Sequence, residues 1–156
     1  MYNIKRCIGK GSYGRVYKAT KGGKTFAIKR VNVGLYEFRD KVALVDEVRL
    51  LKYCNCPYIL KLLDCEYARY SFDIITTLAE QGDLGKIISK TEKPFEENLI
   101  WIYFMQVALA VQYLHRNKII HRDIKPDNVY ICTNDRALLG DFGVAKVLKG
   151  SFASTN

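Results

Sequence analysis

The chain is 156 residues long, 49% hydrophobic and 26% charged, a make-up that supports a buried core and excludes a disordered chain. Lys and Arg number 25 against 16 Asp and Glu, giving a formal charge of +9 that suits anionic partners. The cations are dispersed with no run of five or six, so solvated surface charge is the plain reading and a nucleic-acid partner is not expected.

The first 33 residues alternate as strands do. YNIKRCIG at 2–9 is a first run, RVYKAT at 15–20 a second and TFAIKRV at 25–31 a third, with Gly22-Gly23 as a hairpin signal between the last two. The opening MYNIKRCIGK lacks the apolar stretch of a signal peptide. Residues 37–53 carry Val42, Val45, Val48 and Leu51 at helical spacing, which predicts an amphipathic helix with these four as its apolar stripe. Two short strands follow, YILKLLDCEYA at 58–68 and SFDIITTLA at 71–79, the second apolar enough to be buried. Beyond Gly82 the pattern turns helical, with a short piece at 83–90 and a long one at about 96–116 entered after Pro94. Its most apolar run, 99–114, is short for a membrane span, so it reads as a core helix and no membrane partner is expected. A polar cluster at 121–128, apolar VYICT, a turn at Asn134-Asp135 and RALLG follow. Strands with one helix come first and helices afterwards, with the boundary near 80, which predicts an α+β arrangement of two lobes. Cys7, Cys54, Cys56, Cys65 and Cys132 are odd in number and lack the second pair of a zinc site, so free thiols in a reducing cytoplasm are expected.

Four groups of residues carry chemistry. The first is Gly9-Lys10-Gly11-Ser12-Tyr13-Gly14-Arg15-Val16. Glycines let a backbone turn tightly and approach phosphate oxygens with no side chain in the way. A dinucleotide-binding loop needs a helix straight after its last Gly, and here strand-like RVYKA follows. Taken alone, the motif also fits a glycine-rich hairpin with no ligand. The second group is Ala27-Ile28-Lys29. A Lys on a buried strand must find an anion, and nucleotide phosphate with the carboxylate of Glu47 would satisfy it. An exposed salt bridge of little worth is the alternative. The third is His121-Arg122-Asp123-Ile124-Lys125-Pro126-Asp127-Asn128, a polar loop between apolar segments, where catalytic groups are often held. Asp123 could accept a hydroxyl proton, Asn128 offers the hard oxygen that Mg²⁺ prefers, and Lys125 could neutralise a transferring phosphoryl group. The fourth is Asp141-Phe142-Gly143, a carboxylate beside a flexible Gly, placed one short hairpin after Asn128.

In order and spacing these groups are similar to the signature set of the eukaryotic protein kinases: glycine-rich loop, strand Lys, helix Glu, HRDxKxxN and DFG. The resemblance covers essentially the whole chain. It implies an α+β, protein-kinase-like fold with an N-lobe and hinge at 1–79, built on a five-stranded sheet and one helix, and a partial C-lobe at 80–156. It implies a serine/threonine kinase that uses ATP and Mg²⁺ on protein substrates; Lys125, two residues after Asp123, resembles the serine/threonine branch. Within the family, EQGDLGKII, ALAVQYLHRNKIIHRDIKPDN and LGDFGVAKVL look like the NIMA-related kinases.

By position, the resemblance assigns ATP contacts to Ile8, Gly9, Gly11, Gly14 and Val16, then to Ala27 and Lys29. A gatekeeper at Thr76, a hinge at Thr77, Leu78 and Ala79, a ribose contact at Asp83 and an adenine floor at Tyr130 complete the set. Lys29 would hold the α/β-phosphates and pair with Glu47, Asp123 would act as base with Lys125 beside it, and Asn128 and Asp141 would hold Mg²⁺. Leu51, Leu62, His121 and Phe142 match the family's hydrophobic stack. Thr77 departs from the pattern, since Glu is common there. The resemblance also predicts a domain cut short inside its activation loop, with Ser151, Ser154 and Thr155 open to phosphorylation and Arg122 placed to pair with the product. The helix at 96–116 is apolar round most of its circumference, which predicts an exposed face awaiting a partner. A catalytically impaired nucleotide-binding fragment or scaffold is the alternative function.

Overall fold

The computed structural model describes residues 1–11, 14–68 and 70–148. Ser12 and Tyr13 of the glycine motif, and Ser151, Ser154 and Thr155, lie outside them. Strands β1 (Asn3–Gly11), β2 (Gly14–Lys21) and β3 (Lys24–Asn32) form an antiparallel meander. Gly22 and Gly23 both take positive φ, at 56° and 74°, as a tight two-residue hairpin requires. After a 3-10 turn at Val33–Leu35 and helix α1 (Phe38–Tyr53), β4 (Leu62–Ala68) and β5 (Ser71–Thr77) complete a five-stranded sheet ordered β1-β2-β3-β5-β4. This is the expected α+β fold with a five-stranded antiparallel sheet.

The chain divides into two compact units, the first built from residues 1–53 and 61–78. One face of its sheet buries Val31, Val33 and Ile74 with Leu44 of α1, and Val48, Leu62 and Phe72 pack against them. The other face buries Ala19, Ile28 and Ile75 under Tyr2, Ile4 and Phe26.

Helix α1 corrects one expectation. It buries Leu44, Glu47, Leu50 and Leu51, while Val42 and Val45 are 43% and 44% exposed. Of the predicted stripe, Val48 packs on the sheet's core cluster and Leu51 is buried. The cause is helix phase: Glu47 turns inward to an ion pair with Lys29, and Leu44 and Leu51, one turn to either side, turn inward with it.

The second unit takes residues 54–60 and everything described from Ala79 on. It holds β6 (Gly82–Asp83), α2 (Leu84–Lys90), α3 (Glu97–Arg116), β7 (Ile119–Ile120), a 3-10 turn at Pro126–Asn128, β8 (Val129–Ile131), β9 (Ala137–Leu139) and β10 (Lys146–Val147). Strands β6-β8-β9 form one small sheet and β10-β7 another. The 54–60 segment is tied here by its backbone: Leu60 N–H donates to Leu139 O at 2.9 Å, and Leu139 N–H to Tyr58 O at 2.8 Å. Helix α3 buries Tyr103, Ala110 and Leu114, whereas Ile100, Trp101, Phe104, Met105 and Leu109 are between 41% and 59% exposed. Among the described residues, no helix is long and apolar enough to cross a membrane. All five cysteines are free thiols.

Candidate active site

Lys29 stands in the middle of β3, opposite Val16 on β2 and Ile74 on β5. Its Nζ lies 2.7 Å from Oε1 of the buried Glu47. A buried carboxylate without a cation is strongly unfavourable, so this pair fixes the rotation of α1 on the sheet. An ammonium has three donors and can hold a second anion at the same time. Strand alternation puts Val16, Ala27 and Thr76 on the same face as Lys29, with Ala27 directly opposite Thr76. Thr76 is buried and its hydroxyl donates to Thr77 O at 3.2 Å. The hydroxyl of Thr77 is buried and has no hydrogen-bond partner among the described residues. The first unit ends at Leu78; Ala79 opens the second and packs with Cys132 and Leu138.

The ends of the glycine motif face each other across β1 and β2, with Gly9 opposite Val16 and Gly11 opposite Gly14. Ile8 sits at a register shift of β1 and is 39% exposed. Gly14 has φ 154°, and a Cβ there would collide with the carbonyl oxygen of Arg30. Only Gly lets the chain enter β2 so close to β3.

In the second unit the polar loop is organised by His121. Its Nε2 lies 2.9 Å from Gly140 O, and its Nδ1 accepts from Asp123 N–H at 3.3 Å. A carbonyl can only accept and a backbone N–H can only donate, so the ring is the neutral Nε2–H tautomer. Burial lowers the His121 pKa to match. The ring of Phe142, itself buried, meets His121 edge-on at 5.0 Å between centroids. Leu51 and Leu62, the other members of the expected stack, belong to the first unit.

Asp123 carries two donors on one oxygen. Lys125 Nζ reaches Oδ2 at 2.8 Å and Asn128 Nδ2 reaches it at 2.9 Å. Its pKa is lowered, first by the hydrogen bond from Lys125 and then by that from Asn128, so the group is a carboxylate at neutral pH. Among the described residues nothing donates to Oδ1. The same hydrogen bond raises the Lys125 pKa. Asn128 also donates to Asp123 O at 2.8 Å, which leaves its amide oxygen as the remaining polar atom of the side chain.

Gly140 joins this loop to Asp141, a link that the motif pattern does not reveal. Its N–H donates to Asn128 O at 2.9 Å and its carbonyl faces His121. A Cβ at Gly140 would lie 2.8 Å from the Tyr130 ring, so only Gly permits this approach. Asp141 follows in a left-handed conformation, φ 57°, with Gly143 N–H 3.4 Å from its Oδ1. Arg122, also left-handed at φ 68°, donates through Nε to Val144 O.

Tyr130 packs on the cluster of Ala79, Cys132 and Leu138. Asp83 caps α2: Oδ1 accepts from Lys86 N–H at 2.8 Å and Oδ2 from Lys86 Nζ at 2.7 Å. Burial pushes the Asp83 pKa up, but the bonds from Lys86 outweigh it and the net shift is downward. Each oxygen keeps a second lone pair. Among the described residues no cluster of three or more His, Cys, Asp or Glu could cage a metal. The available donors, an amide oxygen and carboxylates, are hard oxygens that suit Mg²⁺, which takes one or two protein ligands together with phosphates and water.

Residues 2–156 match the family model described as "Protein kinase domain". The chain is 37% identical over 152 residues to MAP3K epsilon protein kinase 1 of Arabidopsis thaliana, covering 96% of this chain and 11% of that protein. It is 35% identical to human serine/threonine-protein kinase Nek11, covering 96% and 24%, and 34% identical to mouse serine/threonine-protein kinase Nek4, covering 99% and 20%. The chain thus spans between a tenth and about a quarter of the length of these relatives.

Proposed function

The chain belongs to the protein kinase family, and from that premise we propose that it is a serine/threonine kinase domain that transfers the γ-phosphoryl group of ATP to protein Ser and Thr hydroxyls. The observation that carries the reading is Asp123, an ionised carboxylate with both internal donors on Oδ2 and its Oδ1 left to accept a proton.

Lys29, held by Glu47, would bind the α/β-phosphates, and the backbone at Gly9, Gly11 and Gly14 would approach them without side chains. Val16, Ala27 and Thr76 share the face of Lys29 and, with Ile8, would line the adenine; backbone groups of Thr77, Leu78 and Ala79 would meet its edge. Tyr130 would form the floor and Asp83 would take the ribose. Asn128 and Asp141 would hold Mg²⁺, which when bound neutralises phosphate charge. In the transfer step the substrate oxygen bonds to the γ-phosphorus, the bond to the bridging β-phosphate oxygen breaks, and ADP leaves. The hydroxyl proton passes to Asp123 Oδ1, while Lys125 stays cationic beside the developing charge. Several relatives are named serine/threonine kinases, which supports Ser and Thr as acceptors. Five free thiols, two of them exposed, support a reducing compartment.

The test is transfer of label from γ-labelled ATP to a generic Ser/Thr-containing protein. Asp123→Asn should lower the rate by about 10²–10⁴-fold with Mg²⁺-ATP binding retained. Undiminished transfer in that variant, or label found on Tyr alone, overturns the reading.

A further inference from the structure

The whole charge excess of the chain lies in its first 36 residues. Nine Lys and Arg precede Glu37 with no Asp or Glu among them, and the rest of the chain holds 16 of each sign. No run of five cations occurs, so the segregation is invisible to a search for charge blocks. Two of the nine have acidic partners in the sheet or on α1: Lys29 pairs with Glu47, and Arg30 binds Asp73 through two hydrogen bonds of 2.8 and 2.6 Å.

The strand register sets several others face to face. Arg6 lies opposite Lys18 and Lys10 opposite Arg15 between β1 and β2; Lys21 lies opposite Lys24 and Arg15 opposite Arg30 between β2 and β3. Like charges directly opposed destabilise a sheet. Among the described residues, no carboxylate forms an ion pair with Arg6, Lys10, Arg15 or Lys18. Lysines on an edge strand guard against edge-to-edge pairing, which accounts for those of β1. That explanation fails for Arg15, Lys18 and Lys21 on β2 and Lys24 on β3, because both strands are interior.

We propose that the β1–β2–β3 meander is a docking surface for an acidic, extended polypeptide segment of a partner protein. Alternation puts Lys10 and Arg15 on one face of the sheet and Arg6 and Lys18 on the other, so positive charge surrounds the free edge instead of facing one plane. A flat anionic bilayer reaches one of those faces. A flexible acidic chain laid along and around β1 reaches both. Among the described residues of these strands no aromatic side chain is exposed, so those residues offer the bases of a single-stranded nucleic acid no stacking platform. Carboxylates of the partner stand where the sheet lacks counter-charge, and docking relieves the cross-strand repulsion. The proposal concerns binding and does not depend on phosphoryl transfer.

The test is fluorescence anisotropy with a labelled synthetic peptide of alternating Glu and Ser, against a Gln/Ser peptide, phosphatidylserine vesicles and a single-stranded oligonucleotide. The Glu/Ser peptide should bind, the Gln/Ser peptide should not, and affinity should fall with salt. Arg6→Glu with Arg15→Glu should weaken binding by roughly tenfold or more. The thermal midpoint of that variant should equal or exceed that of the parent, because each new carboxylate faces a cation across the strands. Arg6→Gln with Arg15→Gln, which keeps the side chains polar, should show a smaller loss. Unchanged peptide affinity in either variant overturns the proposal, as does tighter binding of the vesicles or the oligonucleotide through the same residues.

Discussion

His121 holds two loops together only while its ring is neutral, since Nδ1 accepts from Asp123 N–H and Nε2–H serves Gly140 O. Protonation of Nδ1 would set a donor against a donor. Burial lowers the folded-state pKa below the unfolded value of about 6.5. As pH falls through about 6.5 the unfolded chain takes up a proton that the folded one refuses, so stability declines with acid. The slope can approach about 1.4 kcal/mol per pH unit between the two pKa values. Thermal midpoints measured from pH 7.5 down to 5.5 should fall for the parent chain, and the fall should be shallower for His121→Asn. A parallel decline in both would assign the acid sensitivity elsewhere. At this scale the pairings of the candidate site were legible in the sequence: a strand Lys29 calls for the carboxylate of Glu47, and the structure joins them, as it joins Asp123 with Lys125 and Asn128 in the polar loop. Gly140 was not legible. Its importance lies in two backbone hydrogen bonds and a close approach to Tyr130, and a lone glycine in a strand-like run signals neither.

At the level of elements, the misread face of α1 shows where sequence periodicity stops. Valines at 42, 45 and 48 trace a regular stripe, and that spacing alone gives no weight to the inward pull of Glu47 on Lys29. The true phase is set by a partner 18 residues earlier in the chain, and Glu47 goes inside because Lys29 is there. The 54–60 segment escaped for a similar reason, since its backbone partners at 139 are distant in sequence. The β2–β3 meander gives an element-scale prediction. Gly14→Ala must move β2 away from Arg30 O and should destabilise the first unit by about 1–3 kcal/mol, read from urea unfolding. A loss below a few tenths of a kcal/mol would show that the strands have room there. Helix α3 gives another. Trp101 and Phe104, edge-on to each other at 5.7 Å on its exposed side, should drive self-association of the 156-residue chain. Sedimentation velocity should show larger species for the parent and a shift toward monomer for Trp101→Lys with Phe104→Glu. An unshifted distribution would show that this face does not govern association.

For the molecule as a whole, the proposed kinase activity needs one chain to supply both the Lys29–Glu47 pair for phosphate and Asn128 and Asp141 for Mg²⁺. Calorimetric titration of the chain with ATP, in the presence and absence of Mg²⁺, tests that most directly. Binding should depend on Mg²⁺, and Lys29→Met and Asp141→Ala should each weaken it by about tenfold or more. ATP binding that is indifferent to both substitutions and to Mg²⁺, or no binding by a folded chain, would contradict the proposed activity.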